Sequence, residues 1–73
     1  MDALADARER LLREDANFRR LARKHREYEE RLAEIRAKRF PTPEEQAEEA
    51  RLKKLKLSVK DRMEEILRRA VSP

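Results

Sequence analysis

The stretch RLKKLKLSVKDR, Arg51 to Arg62, sets six basic and four apolar side chains within twelve residues. With RRLARKHR at 19–26 it is the part of the chain best supplied for gripping phosphate. Arg and Lys hold a nucleic-acid backbone without reading its bases. Few other groups offer chemistry. His25 is the single histidine, a candidate proton carrier or metal ligand. Glu29-Glu30 and Glu48-Glu49 are paired carboxylates of the type that can act as acid and base.

Each of these has a plainer origin. A basic run is commonly a solvated helix face. No aromatic lies near 51–62 to stack an unpaired base. A lone histidine at a core position is commonly a packed structural residue, though burial there would make assembly sensitive to pH. Nothing around the paired glutamates is of pocket-forming sequence. Without glycine there is no phosphate-cradling loop. Without cysteine there is neither a disulfide nor a thiolate metal site. The expectation is therefore no catalytic residue, no metal and no cofactor, and a protein that is not an enzyme.

Bulk properties narrow the architecture. At 73 residues the chain makes one small domain at most. Domains this small are marginal alone and lean on disulfides, metal or partners. Only partners remain. Charged residues make up 49% of the chain, a proportion suited to a helix that buries one narrow stripe. The net charge of +4 is modest for a dedicated nucleic-acid binder, because 20 basic residues face 16 acidic ones. No apolar run is long enough to span a membrane, and the acid-bearing start MDALADARERLL does not read as a signal peptide. The expected compartment is the cytoplasm.

The elements that must position these groups are helices. Leu4, Leu11, Phe18, His25 and Leu32 recur every seven residues, and Ala7, Glu14, Leu21, Tyr28 and Ile35 fall three later. That is an a/d frame with polar exceptions at Glu14 and His25. Asp2 is placed to cap it. Glu14-Asp15-Ala16-Asn17 is a weak point, where Asp15 could cap a new helix. The frame survives the crossing, which favours one continuous helix over about 2–39. Pro41 then disfavours helical geometry at Phe40. Thr42, Pro43 and Glu45 form a capping box with proline in the first helical position. A turn at 40–42 and a second helix over about 43–70 follow, with Pro73 beyond its end.

So short a connection predicts an antiparallel two-helix hairpin, an all-α fold of coiled-coil type. Facing residues then have numbers summing to roughly 83, given equal rise along both helices. The seam expected from this is Phe18, Leu21, His25, Tyr28, Leu32 and Ile35 against Leu52, Val59, Met63 and Ile66. Leu55 and Leu67 flank it, and Lys56 falls on it. The leucines and valine of the opening stretch are thus mostly seam. Residues 3–13 should project past the second helix as an apolar overhang. Its Leu4, Leu11 and Leu12, with the outward Leu57, form a candidate partner surface for an oligomer such as a four-helix bundle. Glu29–Lys53 and Lys38–Glu48 are the expected ion pairs. Lys24 should face Arg62, with Arg20, Arg31 and Arg69 nearby and no acid obviously placed to neutralise them: a candidate anion-binding edge.

Asp15…Phe18-Arg19-Arg20-Leu21…Leu32, followed by Arg51-Leu52-Lys53-Lys54…Lys56-Leu57…Val59-Lys60-Asp61, resembles the YdcH-like family of small bacterial proteins. The resemblance covers about residues 14–67, and its specific part is the R-L-K-K-x-K-L-x-x-K-D run. It implies a short helical hairpin in the bacterial cytosol. It supplies no function, since the family is described as uncharacterised. The chain departs from the pattern at His25, where an aromatic is expected, and at Val59, where leucine is expected.

Two functional readings follow. One is a structural or interaction module that assembles with itself and docks another protein. The other is a nucleic-acid binder without sequence preference, using the basic edge.

Overall fold

The computed structural model describes residues 2–71. The expected proline stop at Pro73 lies outside the described residues. Among the described residues every regular element is helical: α1 (Ala3–Glu14), α2 (Ala16–Ala37) and α3 (Pro43–Val71). No described residue has a positive φ or a cis peptide bond.

The described residues therefore form three helices where the heptad frame predicts two. The break is at Asp15, which is extended (φ −113°, ψ 108°) and serves both neighbours. Its amide N–H closes α1 by donating to the Leu11 carbonyl at 2.8 Å. Its carboxylate opens α2 by accepting the Phe18 amide at 3.0 Å. A carboxylate at this position typically stabilises a helix start by about 1 kcal/mol. Arg19 completes the junction. Its Nη1 donates to the carbonyls of Leu12 and Arg13 at 3.2 and 2.8 Å, two groups a helix end leaves without partners.

The other ends are also locally encoded. The Asp2 carboxylate accepts the Leu4 amide at 3.0 Å and caps α1. Thr42 Oγ1 accepts the Glu45 amide at 3.1 Å, and Glu45 Oε1 accepts the Thr42 amide at 2.8 Å. This reciprocal pair opens α3 at Pro43. Helix α2 stops at Ala37, two residues short of expectation, and Lys38 is already extended.

Helices α2 and α3 pack along their lengths. Their core is Leu32, Ile35 and Leu52, with Tyr28 against it. Phe18 and Met63 are also buried. Of the remaining seam residues, Leu21, His25, Val59 and Ile66 are half-buried. Ion pairs across the two helices run in opposed numerical order, Lys38–Glu45 beside the turn, Arg36–Glu49 at 3.5 Å, and Glu29–Lys56 at 3.4 Å farther along.

The overhang expected of residues 3–13 is not formed. A helix running straight on from α2 would hold Leu4 about 31 Å from His25, at about 1.5 Å per residue. Instead Leu4 and Arg8 share one groove with His25 and Glu29. Ala7 is buried, 4% exposed, and Arg10 Nη2 donates to the Ala70 carbonyl at 3.3 Å, at the far end of α3. Thus α1 turns back at Asp15 and lies against the other two helices. Leu11 and Leu12 are half-buried by this packing.

Candidate functional site

Two clefts flank the α2–α3 pair. The first, about 480 Å³, lies where α1 meets the pair. Leu4, Met63 and Leu67 give it apolar walls, and Arg8, Lys56 and Lys60 bring positive charge to it. His25 and Glu29 enter from α2. Glu29 Oε1 is the hub of the polar part, 3.4 Å from Lys56 Nζ and 3.6 Å from His25 Nδ1. His25 Nε2 is buried with no hydrogen-bond partner. Lys56, expected on the seam, is half-buried and escapes it by reaching Glu29.

The second cleft, about 490 Å³, opens on another part of the α2–α3 boundary, between the Asn17–Leu21 turn of α2 and the Ser58–Glu65 stretch of α3. Arg20 and Arg62 line it, but so do Asp61 and Glu65. The expected basic edge is consequently broken up. Arg31 forks onto Glu48 through two hydrogen bonds of 2.8 and 2.9 Å and also meets Glu34 at 2.9 Å. Arg69 pairs with Glu65 at 3.0 Å. Both leave the candidate anion-binding edge, because the acids that neutralise them sit one turn away or across the helix boundary. Arg20 donates to Asn17 Oδ1 at 2.7 Å. Among the described residues, Lys24 and Arg62 have no acid within ion-pair distance.

The other expected pairings shift by about one turn. Glu29 takes Lys56 in place of Lys53, and Lys53 turns to Glu49 on its own helix at 3.8 Å. Lys38 takes Glu45 in place of Glu48. The Lys38 ammonium, with the Thr42 amide, lowers the Glu45 carboxyl to about 2. The Arg31 fork lowers Glu48, and Arg31 itself is raised by its hydrogen bonds to Glu48 and Glu34.

Of the candidate partner surface, Leu57 is 59% exposed on the outer face of α3, and Leu4 is 50% exposed at the rim of the first cleft. Sequence reasoning did not single out Phe40. It is 83% exposed in the turn, with the Arg39 guanidinium 5.6 Å from its ring centre. Its place between Arg39 and Pro41, where no helix face can bury it, was the available signal. Among the described residues no cluster of His, Asp or Glu is arranged to hold a metal ion, and no helix is long and apolar enough to cross a membrane.

A small all-helical chain with a thin core, half-buried ion pairs and two open clefts is the class of protein defined here. A family model described as "Protein of unknown function (DUF465)" matches residues 18–67, more than half of the chain. The chain belongs to this family, the small bacterial YdcH-like group that its R-L-K-K-x-K-L-x-x-K-D run resembles. No curated protein and no solved structure matches it. The matched segment spans nearly all of α2 and most of α3 and leaves α1 outside.

Proposed function

We propose that the protein is a small helical interaction module, not an enzyme, built on an α2–α3 hairpin that associates with further copies into a bundle. One observation carries the reading. Among the described residues the core has only three fully buried large side chains, Phe18, Leu32 and Ile35, while Leu4, Leu55 and Leu57 stay at least 40% exposed on the same small body. Apolar area left outside so thin a core is more stable when a second surface covers it. The bundle form suits helices that each bury one stripe. In this reading the protein works in the cytoplasm, needs no cofactor, and docks a protein partner once assembled.

A second reading, nucleic-acid binding without sequence preference, rests on Arg20, Lys24 and Arg62, the three members of the basic edge that form no ion pair among the described residues. Light scattering on a sizing column, with absorbance at two wavelengths on protein purified without nuclease, separates the two. A discrete oligomer free of nucleic acid supports the module. A monomer at every concentration overturns it. Co-eluting nucleic acid that high salt removes favours the second reading, since phosphate contacts weaken steeply with salt.

A further inference from the structure

The heptad frame and the structure disagree at Asp15, and the disagreement is informative. Leu4 and Leu11 keep step with Phe18, His25 and Leu32 across a point where the helix is broken. A frame that crosses a break is suited to two states. In one, Asp15 is extended and α1 folds back. In the other, Asp15 is helical, α1 and α2 are one helix, and Leu4 and Leu11 continue the α2 stripe beyond the end of the α2–α3 pair.

We propose that α1 is exchanged between two copies of the chain, each α1 straightening at Asp15 to occupy the groove that the other copy's α1 leaves. This rests on the self-association reading above and names its partner and contact. The occupant is set by fit, because within one chain this same helix already packs on the pair, with Leu4 and Arg8 lining the groove beside Met63 and Leu67 and with Ala7 buried. Length agrees. Helix α1 is 12 residues, about 18 Å at about 1.5 Å per residue. The part of α3 that lines the groove, Lys56 to Arg68, has the same reach. The groove also lies toward the α3 C-terminal end, the end past which a straightened α1 would extend.

The balance between the two forms turns on the hinge. Closed and exchanged forms bury the same α1 contacts, so neither gains from the groove itself. The difference is at the hinge, a single residue. The closed form has the Asp15–Phe18 cap and the Arg19 contacts to the Leu12 and Arg13 carbonyls. The straight form replaces them with uninterrupted helix hydrogen bonds. Short hinges of this kind invite exchange between identical chains. The hinge at Asp15 precedes α2, so the α2–α3 hairpin and its turn are the same in both forms.

Two substitutions at the hinge push in opposite directions. Asp15→Ala removes the cap and supplies the best helix former. It should tighten dimerisation roughly tenfold or more, two caps being lost per dimer. Ala16→Pro places proline in the first position of α2 and holds Asp15 extended, its present geometry. It should keep the chain monomeric. Light scattering over a dilution series reads both. The contact is read by nuclear magnetic resonance on a mixture of isotope-labelled protein and unlabelled protein spin-labelled through Ala5→Cys. Exchange broadens amides around Lys60–Leu67 of the isotope-labelled copy. Monomers for wild type and both variants at every concentration would overturn both the exchange and the self-association reading. Equal dimerisation of all three, without that broadening, would overturn the exchange alone and leave self-association standing.

Discussion

Arg31 holds Glu48 across the α2–α3 boundary with two parallel hydrogen bonds, Nε to Oε2 at 2.8 Å and Nη2 to Oε1 at 2.9 Å. Such a fork needs a planar guanidinium, which lysine lacks. Arg31→Lys should therefore lower Tm although charge is conserved. Both side chains are partly exposed, so the effect is small and shrinks with salt. A double-mutant cycle with Arg31→Ala and Glu48→Ala, read by thermal melts, should show coupling between the sites. Strict additivity would contradict it.

The turn predicts how the protein meets acid. Glu45 is lowered from about 4.5 to about 2, first by Lys38 and then by the Thr42 amide. A carboxyl whose folded pKa is depressed contributes stability above its unfolded pKa and loses it as pH falls through the folded value. The loss should fall between pH 4.5 and 2, with Glu48 lowered in the same direction. Melts of wild type should drop across this window. Glu45→Gln should melt lower at neutral pH and drop less, and equal slopes for both proteins would refute the assignment.

These two contacts show what could be read from the residues. The Thr42–Glu45 capping box was legible because both partners lie within one helical turn and no distant group can alter it. The seam was legible because a seven-residue frame specifies one face. The Arg31–Glu48 fork was not. Long side chains reach a turn up or down, so a register correct at Cα still mispairs charges. Asp15 was ambiguous for a deeper reason. The same residues support a cap and a continuous frame, and the decision is made by Arg19 on the Leu12 and Arg13 carbonyls and by the burial of Ala7 when α1 folds back.

His25 tests the seam at its polar level. Its Nε2 is buried without a partner, and its Nδ1 is only loosely beside Glu29. An unsatisfied buried nitrogen costs roughly 1–3 kcal/mol, and the low end applies to a half-buried ring. His25→Phe should raise stability by about 1 kcal/mol in urea melts followed by circular dichroism. A loss of stability would mean that the imidazole contributes a contact of its own.

The core assignment predicts a graded response. Ile35 is almost wholly buried against Leu32 and Leu52, so Ile35→Ala should cost about 2–5 kcal/mol. Ile66→Lys should be harsher and leave little helix at micromolar concentration. Leu57→Lys, on the outer face, should leave the helix signal intact. A helix signal that survives Ile66→Lys would misplace the seam.

The Arg10–Ala70 contact joins residues 60 apart in the chain. Synthesis is vectorial, at about 5–20 residues per second, so an emerging α1 waits roughly 3–12 s before the ribosome has made the end of α3 that it lies against. The Thr42–Glu45 turn needs no such wait. On a message read by several ribosomes, a finished neighbour can present its own α3 during that interval. Under the proposed exchange, the order of manufacture would set a brief competition between a chain's own tail and its neighbour's.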